Sequence, residues 1–341
     1  MGALNSYERV RQRLAGQPVD RPPNWDIMMT FAAHHVGQPL SRYYLDYRVL
    51  CQANYAVQRD FALDIVQAIS DPYRVAADLG AQIEFPEDGL PVSVAPLLGD
   101  PERLRSLRPL DPGTGRRMSD RLAAVRDFRE RVGGAVPIMG WVEGALAEAA
   151  DLRGVAALML DLYDRPEWVA ELLELCAEQA VAFARAQVAA GADIIGLGDA
   201  VASQVAPRVY RELALPCEQR IFRAVHELGA LARLHICGDT TRILADMASS
   251  GADIIDIDRM VDERRAVAAF GPDIALCGNM DPVAVMLRGT TDEVRAGTLA
   301  CATLGGPRYI SAAGCEIPDG TPHANLLVQA EALRAWGRGT A

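Results

Sequence analysis

The sequence predicts a (β/α)8 barrel, eight parallel strands each followed by a helix. Three observations point there. Eight short apolar, β-branched segments alternate with longer stretches of helical periodicity. The run Gly-Ala-Asp-Ile-Ile occurs twice, at 191–195 and 251–255, each time where a helix stops and a strand starts. Polar residues with chemical potential gather at the C-terminal ends of these segments, the face on which such barrels carry their sites.

Taken in order, strands are expected at 23–29 (PNWDIMM), 63–69 (LDIVQAI), 135–142 (AVPIMGWV), 192–198 (ADIIGLG), 231–237 (LARLHIC), 252–258 (ADIIDID), 273–279 (DIALCGN) and 307–314 (PRYISAAG). Residues 166–191 form a long amphipathic helix, with Pro166 in its first turn and Gly191 as its stop. Residues 240–251 read as another helix, opened by a threonine cap and closed on glycine. Residues 1–21 read as a helical extension of a single barrel domain spanning 1–341. That stretch has no signal-peptide core, and its Met1-Gly2 start, with Tyr7 nearby, makes a poor myristoylation signal. A doubly wound open sheet is the rival fold, but no Gly-x-Gly-x-x-Gly turn follows the first strand.

Composition narrows the function. Half of the 341 residues are hydrophobic and 23% charged, enough for a large core. A net charge of -11 argues against nucleic acid, which needs a clustered basic face. No apolar run approaches membrane-spanning length. Seven scattered cysteines, an odd number, make no disulfide framework. The reducing cytoplasm is the expected location, and it leaves thiols free for metal or chemistry.

The strand ends then supply candidates. Asp26 lies near the end of 23–29, Glu143 just after 135–142 and Asp199 just after 192–198. His235 and Cys237 close 231–237, Asp258 closes 252–258, Asn279 closes 273–279, and Cys315 follows 307–314. Residues two apart on a strand share a side, so His235 and Cys237 can meet one ion. With Cys315 reaching over the mouth, one nitrogen and two thiolates suit Zn²⁺, with a fourth position for substrate or a further ligand. Zinc would keep an incoming thiol deprotonated, and such a thiolate attacks activated methyl groups.

Each candidate also has a plain reading. Glu143 is a fourth ligand or proton acceptor, or a solvated loop carboxylate. Asp199 and Asp258 orient the substrate or the imidazole, or cap helices. Asn279 binds substrate, or satisfies the turn before Asp281-Pro282. Cys277 and the four remaining cysteines are packing or surface residues, His34 and His35 touch substrate or form a solvated pair, and His323 acts locally. Arg233 shares a face with His235, where an inner ion pair would fit.

The stretches LHICGDTTRIL (234–244), CGNMDP (277–282) and AAGCEIPDGTPHANL (312–326) resemble the uroporphyrinogen decarboxylase superfamily. They look most like its cobalamin-dependent branch, which includes the methylcobalamin:coenzyme M methyltransferases. The likeness runs on through 16–23, 140–150 and 207–217, nearly the whole chain. It implies a (β/α)8 barrel and a His-x-Cys…Cys zinc motif, matched here by His235, Cys237 and Cys315. It also implies methyl transfer between a corrinoid and a thiol or other small methyl donor or acceptor. The corrinoid would arrive on a partner protein, because the cobalamin-binding pattern Asp-x-His-x-x-Gly is absent: Ala32 and Ala224 stand where the aspartate is needed. The second reading is a metal-independent carboxy-lyase of the decarboxylase kind. The decarboxylases hold their many-carboxylate substrate with an arginine-rich N-terminal loop, and 24–37 has no arginine. A third is a zinc-holding barrel that binds without turnover. Gly144-Ala145 departs from the Gly-Pro usual after the third strand.

Overall fold

The computed structural model describes residues 4–339; the Met1-Gly2 start lies outside them. The chain opens with helix Ser6–Leu14, set by a capping box in which Asn5 accepts the Glu8 N–H and Glu8 accepts that of Asn5. Six parallel strands follow in barrel order: β1 (Val66–Gln67), β4 (Ile138–Glu143), β5 (Ile194–Gly198), β6 (Leu231–His235), β7 (Ile254–Asp256) and β8 (Ala275–Cys277). Helices such as Arg116–Val132, Pro166–Ala190 and Leu215–His226 return the chain between them. The curled parallel sheet with helices outside is the predicted barrel.

The first and last predicted strands, 23–29 and 307–314, form single bridges in place of ladders. Asn24 pairs with Ser311, and Ile310 pairs with Cys277. Backbone bonds Trp25 N–H to Ser311 O (2.8 Å), Ile310 N–H to Leu276 O (2.9 Å) and Asp64 N–H to Asn24 O (2.8 Å) close the ring. Side chains explain the short ladders. Asp64 takes the Asn24 N–H, Asp26 takes that of Ala313, Asn54 takes that of Gln67, and the Gln67 amide donates to Asp26 O. At this seam carboxylates and amides do the work of the ladder for the N–H groups of Asn24, Gln67 and Ala313.

Between β1 and its return helix lies an antiparallel hairpin absent from the expected strands, β2 (Gln82–Glu84) and β3 (Val92–Ala95). Its residues are largely exposed, so no buried alternation marks it in the sequence. The helix expected at 240–251 shrinks to Leu244–Ala248, because Asp239 turns its side chain onto the Thr241 N–H and residues 241–243 stay in a turn. The long helix appears as expected, Pro166–Ala190, ending where Gly191 adopts φ 117°. One apolar layer separates strands from helices. A second fills the barrel itself: Trp25, Ile65, Met139, Trp141, Ile254 and Ile310. No helix among the described residues is long and apolar enough to cross a membrane.

Candidate metal centre at the barrel mouth

The strand register builds the site. Glu143, Gly198, His235, Asp256 and Cys277 are successive partners across β4 to β8, so they form one row at the C-terminal rim. His235 ends β6, with its imidazole on the barrel interior beside Trp141, ring centroids 6.3 Å apart. Gly198 makes that possible: a Cβ there would lie 3.0 Å from the Trp141 ring and 3.2 Å from Glu143 Oε2. A glycine in this row lets both side chains lean across β5 towards His235.

The structure brings His235, Cys237 and Cys315 together, with donor atoms all within 4.8 Å of one another. The two sulphurs are 3.6 Å apart and His235 Nε2 is 3.0 Å from Cys237 Sγ. A tetrahedral zinc with bonds of roughly 2.3 Å to sulphur and 2.0 Å to nitrogen has edges of about 3.8 and 3.5 Å. The sulphur pair already matches, and the Nε2–Cys237 separation is about half an ångström short of such an edge. The donor set therefore fits zinc: one borderline nitrogen and two soft sulphurs, all half-buried or buried.

The three donors also act on one another's protons. The hydrogen bond from Cys237 holds the Cys315 thiol down to about 4 against the effect of burial, with His235 helping, while Cys237 is pushed up by that same bond and by burial. Burial works against a charged His235, but Cys237 and Asp256 overcome it and raise the imidazole well above its usual range.

Two loops present the sulphurs. After Cys237 the chain turns through Gly238 at φ 90°, and Asp258 Oδ2 accepts the Gly238 N–H at 3.0 Å. Asp258 Oδ1 takes the Met260 N–H, and Asn279 Nδ2 donates to the Asp258 and Val261 carbonyls at 3.0 and 2.8 Å. The loop bearing Cys315 lies against this one because Gly314 has no side chain; a Cβ would sit 2.4 Å from Arg259 N. Glu316 fastens its far side, accepting the Thr30 N–H and hydroxyl. So Asp258 and Asn279, expected to touch substrate, have these polar groups engaged by the backbone around the two cysteines.

Asp199 points away from the interior. Its Oδ1 accepts the Ala147 N–H at 2.8 Å at the start of helix Ala145–Arg153, and burial raises its carboxyl to about 7. Gly144, in place of a larger residue, is what admits that carboxylate, since a Cβ would lie 2.4 Å from it. Glu143 has one oxygen on the Arg74 guanidinium and the other over Gly198; burial raises its pKa against the pull of Arg74.

The imidazole's partner is Asp256, where Asp199 or Asp258 was expected: Oδ2 is 3.0 Å from His235 Nδ1. Position 256 ends the same strand two residues earlier and pairs in register with His235; only the pairing, invisible in one sequence, separates it from Asp258. A second group also escaped the sequence. Arg74, Glu148 and Asp151 are gathered beside Glu143, and burial raises Glu148 well above the carboxylate range and Asp151 to about 8. Glu148 and Asp151 are three apart on a short helix, a spacing common on solvated faces.

A family profile described as uroporphyrinogen decarboxylase (URO-D) matches residues 5–336. The chain belongs to the uroporphyrinogen decarboxylase family. Within that family it is similar to "Methylcobamide:CoM methyltransferase MtbA" of Methanosarcina mazei, 34% identical over 67% of this chain and 66% of that protein, just under two thirds of its length. "Methylcobamide:CoM methyltransferase MtaA" of Methanosarcina barkeri is 27% identical over 96% of both chains. Uroporphyrinogen decarboxylases also match, at 26–29%. The solved structure of a "methyltransferase from Methanosarcina mazei" superposes with a TM-score of 0.89 at 24% identity, covering 99% of this chain and 100% of that one, which shows the shared fold.

Proposed function

We propose that the protein is a zinc-dependent corrinoid methyltransferase, moving a methyl group between a corrinoid on a partner protein and a small thiol or other methyl donor or acceptor. One observation carries this reading: an imidazole and two thiols, from strands far apart in sequence, converge at the barrel mouth with zinc-like spacing. The names of the methylcobamide:CoM methyltransferases support it. Seven free cysteines suit a protein working in the reducing cytoplasm, the proposed location.

His235, Cys237 and Cys315 would hold the ion. Zinc bound there supplies Lewis acidity that keeps an incoming thiol deprotonated. Asp256 orients the imidazole from behind. Glu143, with one oxygen on Arg74 and the other facing the row over Gly198, would take the thiol proton. Asp199 supports Glu143 indirectly, by fixing the helix start that follows it. Asp258 and Asn279 shape the rim against which substrate rests, and the ring of loops leaves the mouth as the face where a corrinoid protein docks.

Metal analysis of the purified protein tests the reading, together with the absorbance of methylcobalamin on adding CoM or other small thiols. Stoichiometric zinc and thiol-dependent demethylation are expected, both lost in Cys237→Ser. A metal-free protein that decarboxylates a porphyrinogen would overturn the proposal in favour of the family's carboxy-lyase chemistry. Tight zinc with no demethylation by any thiol or methyl donor would leave a binding protein.

A further inference from the structure

Arg233 is 1% exposed inside the barrel, its guanidinium 5.5 Å over the Trp25 ring and within 3.5 and 3.9 Å of the Met139 and Cys277 sulphurs. A guanidinium is costly to bury in such surroundings unless it is paired and hydrogen-bonded. Its partner is Asp256. Arg233 Nε reaches both carboxylate oxygens (2.9 and 3.0 Å) and Nη2 reaches Oδ2 at 2.6 Å. The same Oδ2 faces His235 Nδ1. Arg233 stands two residues before His235 on β6, one layer deeper on the same side.

We infer that Arg233 is a positioning residue for the metal centre, acting through Asp256 on the imidazole of His235. A carboxylate touching only a histidine can turn about its own axis and carry the ring with it. The planar guanidinium grips the carboxylate edge and removes that freedom. With the Asp256 plane fixed, the Nδ1–H has one acceptor direction, and Nε2 is left aimed at Cys237 and Cys315. The two charges of the dyad cancel, so the ring is oriented without net charge beneath the ion. This inference rests on the zinc reading above.

Zinc affinity by chelator competition, and the visible spectrum of the cobalt(II)-substituted protein, test it in Arg233→Met, Asp256→Ala and the double variant. Each single variant should weaken zinc by the roughly 10–100-fold typical of lost outer-shell partners and alter the cobalt bands. The double variant should be no worse than Asp256→Ala, because Arg233 works only through that carboxylate. Arg233→Lys, a point charge without the fork, should fall between wild type and Arg233→Met, and it decides the matter should the methionine variant not fold. Wild-type zinc affinity and cobalt spectrum in Arg233→Met or Arg233→Lys, or losses that multiply in the double variant, would overturn the inference while leaving the zinc reading intact. A wild-type protein that binds no zinc would sink both.

Discussion

The two sides of the barrel mouth are built from opposite chemistry. On the β6–β8 side stand His235, Cys237 and Cys315, with sulphurs 3.6 Å apart and a matched ion pair, Arg233–Asp256, beneath them. On the β1–β4 side Asp71, Glu143, Glu148 and Asp151 crowd around Arg74 and Arg117. In the first region charge is balanced; Arg233 and His235 hold Asp256 down to about 2 although burial opposes it. In the second, carboxyls outnumber guanidiniums, Glu148 Oε1 and Asp151 Oδ2 have no hydrogen-bond partner, and burial raises both groups. The lesson is that one rim separates two tasks. Soft donors gather on one arc, and on the other stand hard donors short of cations, where burial favours their protonated forms.

Substitutions on the sulphur side should have the largest effect. Cys237→Ser or Cys315→Ser should abolish stoichiometric zinc and cost methyl transfer more than the roughly 10–100-fold expected of an outer-shell change. Zinc content and methylcobalamin absorbance measure this. Retained zinc in both variants would erase the difference between the two sides.

On the acid side the leading effect should be on stability. Arg74→Met leaves Glu143 buried without its guanidinium, which should cost about 3–5 kcal/mol in a urea titration. A loss below about 1 kcal/mol would mean that the pair is exposed and screened in solution.

The proton-holding character has a signed consequence. Asp151 takes up protons more readily folded than unfolded, its pKa lying at about 8 against a usual 3.8. Its contribution to stability is therefore full below about pH 4 and is lost as pH rises through 8. Asp151→Asn should flatten the fall in stability between pH 4 and 8, read from denaturant midpoints across that range. An unchanged slope would assign the excess proton elsewhere.

The smallest effect concerns Asp199, behind the rim. Asp199→Ala should cost about 1 kcal/mol, as for a lost helix cap, whereas Asp199→Asn, whose amide oxygen can still accept the Ala147 N–H, should cost less. Equal losses would show that its charge, rather than its hydrogen bond, matters.

By itself the sequence determined the barrel and singled out the two sulphurs that meet at its mouth. Apolar segments spaced by helical periodicity, and glycine stops such as Gly191, are local signals, and the Cys237 side follows from two-residue alternation on one strand. The seam at 23–29 and 307–314 was legible as strand, but not its replacement of ladder bonds by Asp26, Asp64, Asn54 and Gln67, because those partners lie far apart in the chain. Only tertiary structure decided that Asp256, two residues before the expected Asp258, meets His235, since strand register sets which carboxylate faces the ring. The gathering of Glu148 and Asp151 around Arg74 was likewise decided by packing. Burial turns an ordinary helical acid pair into a proton store, and burial is a property of neighbours that no single segment contains.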